Sequence, residues 1–198
     1  MKYFKLIKNH VDVRWLLDEI QRYPDPWSMN TGRQSKIEVQ RESHSIPLRG
    51  LVKSEIGDGK RRNVHESRFT TTSRSFTEAI GFITTFAAER NAELGRAKLV
   101  KLGPGCRVYP HIDRGEYYRL RDRYHLVLRS ANGSYLKSGD EAVRMKEGEL
   151  WWFDNKQVHS AYNDSDEDRI HLIFDLLPAA VDRATDDAGS RRVEVMAS

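Results

Sequence analysis

The sequence predicts a mainly β fold with flanking helices, arranged as a double-stranded β-helix of the jelly-roll or cupin type. Beyond Gly95, eight short runs of β-favouring residues follow one another between turn residues. Short strands in this rhythm are typical of antiparallel double-sheet architectures. The content of 38% hydrophobic and 10% aromatic residues suits a folded domain. The predicted strands are 97–102, 107–113, 124–129, 134–136, 142–145, 150–153, 158–162 and 169–177.

The part before Gly95 shows mixed helical and extended patterns. Ser75 and Glu78 have the spacing of a capping box, which predicts the start of the best helix in the chain, and Gly95 is its expected stop. Apolar spacing before Pro24 and Pro26 predicts an earlier helix, since proline ends helices. The other expected elements of this part are an edge strand at 1–7, the earlier helix at 11–22, strands at 36–39 and 46–52, and a turn at 56–60.

Length and composition indicate one domain. The chain has 198 residues, which is enough for a single hydrophobic core. We expect this domain to span 1–178, with 1–96 supporting a core and metal site at 97–178. Residues 179–198 have few large apolar side chains and mixed charge, which predicts a flexible tail.

The net charge of +4 is unevenly distributed. Residues 49–74 contain seven Lys or Arg and three Asp or Glu. Such a patch attracts anions, but a solvated loop is the more common explanation, and no nucleic-acid-binding motif accompanies it. A nucleic-acid partner is therefore not expected.

Cysteine usage and hydropathy bear on location. The single cysteine, Cys106, excludes an internal disulfide bond and is compatible with a reducing compartment. Residues 1–7 are too short and too charged for a signal peptide, and no apolar run reaches the length of a membrane span. We expect a cytoplasmic protein without membrane contact.

Three residues have the pattern of a metal site. His111 and Asp113 are two residues apart in a predicted strand, so their side chains share one face. His159, in another short β-like run, can supply a second imidazole. Two imidazoles and one carboxylate form the facial triad of non-haem Fe(II) oxygenases. For His111 and Asp113 alone, a strand-end histidine followed by a solvated aspartate is the alternative.

Arg169 predicts an anion site beside this group. It lies ten residues after His159 and shares a strand face with His171 and Ile173 if 169–177 is a strand. A guanidinium inside a small β-barrel is costly to bury unless an anion receives it. A carboxylate is the anion that suits its bidentate geometry.

The predicted metal ligands and Arg169 occur together with several other short motifs. They are Pro104-Gly105, Tyr109-Pro110-His111-Ile112-Asp113, Arg123-Tyr124-His125-Leu126, Gly148-Glu149-Leu150-Trp151-Trp152-Phe153-Asp154, His159 and Arg169. The combination, over roughly 97–177, resembles the aspartyl/asparaginyl β-hydroxylase family of Fe(II)/2-oxoglutarate-dependent dioxygenases, which includes bacterial free-proline hydroxylases. Each motif is weak alone.

The resemblance implies roles for individual residues. It implies that His111, Asp113 and His159 bind Fe(II) and are catalytic, with 2-oxoglutarate and O2 as co-substrates. It also implies that Arg169 binds the distal carboxylate of 2-oxoglutarate, that His125 hydrogen-bonds a co-substrate carboxylate, and that Arg123 meets the substrate.

The implied reaction is hydroxylation of an unactivated C–H bond of an amino acid, with succinate and CO2 as co-products. The amino acid is either free, such as proline, or an Asp or Asn within a peptide or protein.

Arg49 is a second candidate for binding a substrate carboxylate, the alternative being an ordinary surface arginine. Residues 114–122 are either a lid over the pocket or an exposed loop. A competing hypothesis is a non-catalytic cupin that binds a small anion.

Overall fold

Residues 1–28, 38–52 and 63–179 are described by a computed structural model. Over these ranges the chain forms eleven strands. They are β1 (Phe4–Lys8), β2 (Ser43–Leu51), β3 (Ser67–Phe69), β4 (Glu93–Leu102), β5 (Arg107–His111), β6 (Asp122–Arg129), β7 (Ser134–Ser138), β8 (Glu141–Val143), β9 (Leu150–Phe153), β10 (His159–Asn163) and β11 (Arg169–Leu177). The helices are α1 (Arg14–Gln21), α2 (Thr77–Glu89) and α3 (Glu116–Arg119), with 3-10 helices at Glu38–Gln40 and Thr72–Ser75.

Within these ranges the strands form two antiparallel sheets. The large sheet has the order β1-β9-β6-β11-β4-β2-β3, and the small sheet has the order β5-β10-β7-β8. From β4 onwards the chain passes repeatedly between the sheets, so strands that are distant in sequence become neighbours. This interleaving is the double-stranded β-helix that the sequence predicts.

The large sheet separates two hydrophobic clusters. On its outer face it packs against α1 and α2, and on its inner face against the small sheet. β11 shows how the sequence produces this division, because side chains alternate along a strand. Ile170, Leu172 and Phe174 pack in the helix-side cluster, whereas Arg169 and Ile173 line a cavity between the sheets.

The start of α2 differs from the predicted capping box. The helix begins at Thr77, and Ser75 ends the preceding 3-10 helix. The N–H groups of Glu78 and Ala79 donate instead to the carboxylate of Glu19 in α1, at 2.9 and 3.1 Å. A buried carboxylate is a stronger acceptor for a helix N-terminus than a local hydroxyl, so α1 supplies the cap.

Gly95 is not the stop of α2. The helix ends at Glu89, and Asn91 adopts the left-handed conformation with φ 47°. Gly95 lies in β4, where an added Cβ would collide with the hydroxyl of Tyr117. A glycine in a strand often marks such a close approach.

The other predicted elements are recovered with small shifts of their bounds. All eight strands beyond Gly95 form, the predicted edge strand is β1 at the edge of the large sheet, and 11–22 contains α1. The predicted strand at 36–39 is wrong in its described part, because Glu38–Gln40 is a 3-10 helix. It leads to Glu42, which accepts the N–H of Arg107 at 2.8 Å at the edge of β5. Residues 36 and 37, the turn at 56–60 and the tail from 180 lie outside the described residues.

Candidate metal centre and anion pocket

Two histidines lie opposite each other on neighbouring strands of the small sheet. β5 and β10 pair in a register that places His111 opposite His159. Their ring centroids are 4.3 Å apart. Both residues line the cavity between the sheets.

Backbone carbonyls set the tautomer of both imidazoles. His111 Nδ1 lies 2.7 Å from the carbonyl oxygen of Tyr109, and His159 Nδ1 lies 3.0 Å from that of Gln157. A carbonyl oxygen only accepts hydrogen bonds, so each Nδ1–H must donate. The lone pair is then left on Nε2, which is how a metal-binding histidine is usually prepared.

Asp113 completes the group although it lies just beyond the end of β5. Its N–H donates to the carbonyl oxygen of Asn155 at 3.3 Å. Its carboxylate oxygens lie 3.9 Å from His111 Nε2 and 3.9 Å from His159 Nε2. One ligand atom from each of the three residues lies within 4.8 Å of the others, which is close enough for one metal ion to contact all three.

The charges of this group suit a divalent metal. Burial by itself raises the pKa of Asp113, but Arg123 and the nearby histidines and Asn155 lower it to about 2. Burial lowers the pKa of His159 to about 4, although Asp113 acts in the opposite direction. At neutral pH the group therefore offers a carboxylate and a neutral imidazole, as Fe(II) ligation requires.

Arg123 holds Asp113 from the large sheet. Its Nη1 donates to Asp113 Oδ2, and Asn155 Nδ2 donates to the same oxygen at 3.0 Å. On the other side, Arg123 Nε and Nη2 donate to the two carboxylate oxygens of Asp175, at 2.8 and 3.0 Å. A guanidinium bound in this bidentate way has little freedom to turn. Arg123 thus orients the carboxylate of a predicted metal ligand, a role that the sequence did not reveal.

Tyr117 extends this network outwards. Its hydroxyl donates to Asp175 Oδ2 at 3.2 Å and accepts the N–H of Arg96 at 2.6 Å. Gly95 leaves the space that this hydroxyl needs. Because Tyr117 is fully buried in α3, the segment 114–122 is anchored at its centre and is not an ordinary exposed loop.

Arg169 enters the cavity from the first position of β11. The residue is 4% exposed, and its Nη2 has no hydrogen-bond partner among the described residues. Burial lowers the pKa of Arg169 to about 10, so the guanidinium is still charged at neutral pH. A buried charge with an unused donor fits a carboxylate supplied by a bound anion.

His125 lines the same cavity from β6. Its Nδ1 lies 3.2 Å from Nδ1 of His171, which is fully buried behind it in β11. Burial lowers the pKa of His125 well below its usual value, and His171 and Arg169 add to this effect. His125 is therefore a neutral hydrogen-bonding group.

The structure thus brings most of the predicted site residues to one cavity. Two predicted site residues are not among those that line this cavity: Asp113, whose carboxylate nevertheless lies 3.9 Å from each imidazole, and Arg49. Its Nε donates to the carbonyl oxygen of Leu94 at 3.1 Å, and its guanidinium lies over the ring of Phe69 at 4.8 Å. Only the start of β2, at Ser43, reaches the cavity.

Sequence reasoning missed the residues that support the site. Asp175 carried a usable signal, because it shares the inward face of 169–177 with Arg169. Asn155 and Tyr117 lie in a turn and in a four-residue helix, where no periodicity indicates direction.

No helix among the described residues is long and apolar enough to cross a membrane.

A family model described as aspartyl/asparaginyl beta-hydroxylase matches residues 56–178. L-proline cis-3-hydroxylase 1 of Streptomyces sp is 32% identical over 108 residues, which is 53% of this chain and 35% of the relative. L-proline cis-4-hydroxylase of Rhizobium meliloti is 32% identical over 78 residues, 39% of this chain and 28% of the relative. The matched stretches thus span about a third of these relatives.

Solved structures show the same fold. A viral collagen prolyl hydroxylase from Paramecium bursaria chlorella virus 1, in a 2OG complex, aligns with a TM-score of 0.54 at 9% identity. The alignment covers 89% of this chain and 97% of that one. At this identity the similarity concerns the double-stranded β-helix alone.

Proposed function

Because the chain belongs to the aspartyl/asparaginyl β-hydroxylase family, we propose that it is an Fe(II)- and 2-oxoglutarate-dependent hydroxylase acting on an amino acid. One observation carries the proposal: two histidines of a three-ligand group line the same cavity as a buried arginine whose Nη2 has no hydrogen-bond partner among the described residues. A barrel that only binds an anion needs the arginine but not the ligand group.

In this proposal His111 and His159 bind Fe(II) through Nε2, and Asp113 binds it through its carboxylate. Bound iron, with 2-oxoglutarate and O2, supplies the oxidising chemistry that converts a C–H bond to C–OH and yields succinate and CO2. The chain contributes by holding Asp113 as a carboxylate and His159 as a neutral imidazole. Arg123 and Asn155 keep the carboxylate directed at the histidines.

Arg169 and His125 position the co-substrate. Arg169 binds the distal carboxylate of 2-oxoglutarate, because this guanidinium is charged, buried and partly unpaired. His125 hydrogen-bonds the carboxylate nearer the metal ligands. Fixing both ends of a small dicarboxylate orients it before reaction, which lowers the entropic part of the barrier.

We propose a free amino acid, with L-proline as the first candidate, because the curated relatives are named for that substrate. Arg123 and Lys98 line the same cavity, but Arg123 is already paired with Asp113 and Asp175, so the proposal of L-proline depends on the relatives. An Asp or Asn within a peptide is the second candidate, in line with the family's description.

Succinate release tests this proposal. Protein purified without oxygen receives Fe(II), 2-oxoglutarate and ascorbate, and then air, with L-proline, other free amino acids or Asp- and Asn-containing peptides. We expect succinate formation that rises with one of these substrates. His111→Ala and Arg169→Met should abolish it.

Two variants serve as matched controls. His10→Asn changes an exposed histidine, and Arg68→Met removes a guanidinium whose side chain is 69% exposed. Both should keep wild-type turnover. If wild-type protein binds 2-oxoglutarate but forms no succinate with iron and air, the hydroxylase proposal is wrong and an anion-binding cupin replaces it.

A further inference from the structure

His171 is a buried histidine that the proposed function leaves without a role. It is fully buried in β11, two residues after Arg169 and on the same strand face. It does not line the cavity, but it lies directly behind His125, which does. The two Nδ1 atoms are 3.2 Å apart, and the rings are nearly perpendicular at 88°.

Both imidazoles are neutral at physiological pH. Burial lowers the pKa of His171 well below its usual value, and the nearby charge of Arg169 adds to this effect. Burial also dominates the lowered pKa of His125. A neutral imidazole carries one N–H, so one Nδ1 donates in the contact and the other accepts.

The two possible arrangements differ in what they leave unpaired. If His125 Nδ1–H donates, His171 must carry its proton on Nε2. That nitrogen is buried and has no partner among the described residues, so an N–H would be left unsatisfied. If His171 Nδ1–H donates, only a lone pair of His171 Nε2 is left unpaired. Buried unpaired N–H groups are rarer than under-used acceptors, so the second arrangement is favoured.

The second arrangement decides what His125 presents to the cavity. With Nδ1 accepting from His171, the proton of His125 must be on Nε2, its remaining ring nitrogen. Nε2–H is a donor, which attracts a carboxylate. In the first arrangement Nε2 would present a lone pair and would repel the same carboxylate.

We propose that His171 is a positioning residue that fixes His125 in the Nε2–H tautomer, so that His125 donates to the carboxylate of 2-oxoglutarate. This inference rests on the proposed function for the identity of the anion. The tautomer itself does not depend on it. His171 acts through His125 and contacts neither the co-substrate nor the predicted metal ligands.

Nitrogen NMR of metal-free protein labelled with 15N-histidine tests the tautomer directly. Protonated and unprotonated ring nitrogens have well-separated shifts, and His125→Gln and His171→Asn spectra assign the two residues. We expect His125 with its proton on Nε2 and His171 with its proton on Nδ1. His125 protonated on Nδ1, or His171 protonated on Nε2, would overturn the inference whether or not the protein is a hydroxylase.

A pair of variants of nearly equal shape tests the consequence for binding. His171→Asn keeps an N–H donor near the position of Nδ1, whereas His171→Leu removes it. The measurement is 2-oxoglutarate affinity by calorimetry, with Mn(II) in place of iron so that no turnover occurs. Thermal unfolding checks that both variants fold.

We expect about tenfold weaker 2-oxoglutarate binding for His171→Leu, since one charge-assisted hydrogen bond is lost, and near-wild-type binding for His171→Asn. Equal affinities of the Leu variant and wild type would refute the positioning role. Absence of 2-oxoglutarate binding in wild-type protein would refute the co-substrate part of this inference together with the proposed function. The NMR result would still decide the tautomer.

Discussion

Arg169 combines features that seldom occur in one residue: burial, charge and an unused hydrogen-bond donor among the described residues. A stable fold without a bound anion gains nothing from such a side chain, because desolvation of the guanidinium opposes folding. Its presence therefore makes sense if an anion completes the site. The same reasoning predicts opposite effects of its removal on stability and on binding.

Replacing Arg169 by Met should stabilise the ligand-free protein by about 1–3 kcal/mol, because an apolar side chain of similar length removes the desolvation cost. The variant should also lose its response to 2-oxoglutarate. Urea unfolding with and without Mn(II) and 2-oxoglutarate measures both effects. Arg68→Met, at an exposed position, is the control and should change neither. A destabilised Arg169→Met protein would contradict this view of the arginine.

Asp175 is linked through Arg123 to Asp113, one of the three predicted metal ligands. Its carboxylate binds Arg123 in a bidentate contact, and Arg123 in turn donates to Asp113. Asp175→Asn should therefore weaken Co(II) binding by about tenfold or more, although Asp175 is not one of the three ligands. Tyr117→Phe removes only one hydrogen bond to Asp175 and should cause a smaller loss.

Co(II) titration followed by absorbance measures this effect. Asp164→Asn is the matched control, since the side chain of Asp164 is 54% exposed. Unchanged Co(II) affinity in folded Asp175→Asn protein would show that Arg123 does not need Asp175 to hold the metal ligand.

At the scale of elements, the N-terminus of α2 is capped by a residue of α1 and not by its own neighbouring sequence. Glu19 in α1 is 1% exposed and accepts two N–H groups at the start of α2. The capping-box pattern of Ser75 and Glu78 is present but unused. The cap therefore depends on how the two helices dock on the large sheet.

Glu19→Ala should lower the free energy of unfolding by about 1–3 kcal/mol, because two buried N–H groups of α2 lose their acceptor. Ser75→Ala and Glu78→Ala should each change it by less than about 0.5 kcal/mol. Chemical denaturation of the three variants distinguishes the two capping modes. A larger loss of stability in Ser75→Ala than in Glu19→Ala would show that the local capping box, and not Glu19, caps α2.

At the scale of the whole molecule, the two sheets contribute different parts of the site. His111 and His159 come from the small sheet, whereas Arg169 and His125 come from the large sheet. Arg123 links the sheets through its contacts with Asp113. A dicarboxylate bound to the metal and to Arg169 at the same time would join the sheets further.

Metal and 2-oxoglutarate should therefore stabilise the protein cooperatively. With each at about a hundredfold excess over its dissociation constant, we expect the melting temperature to rise by about 5 °C or more. The combined rise should exceed the sum of the separate rises with Mn(II) and with 2-oxoglutarate. Differential scanning fluorimetry measures it, and His111→Ala should remove the coupling. Strictly additive rises would mean that the two ligands bind independently.

The sequence by itself determined the architecture and predicted the central residues of the site. Eight short runs of β-favouring residues, separated by turn residues, predicted β4 to β11. In the last of these runs, side chains alternate between two faces. The same alternation placed Arg169 towards the interior. Motif spacing drew His111, Asp113 and His159 together, and the structure brings their ligand atoms within 4.8 Å.

Only the tertiary structure decided which groups support that site. Asp175, Tyr117 and Gly95 become one network because β4, α3 and β11 meet in space. Glu19 replaced a local helix cap, and Arg49 fell outside the cavity lining, for the same kind of reason. Local periodicity indicates the face on which a side chain lies, but it contains no information about which distant residue that side chain contacts. That depends on the register between strands and on helix docking, which the whole chain settles together.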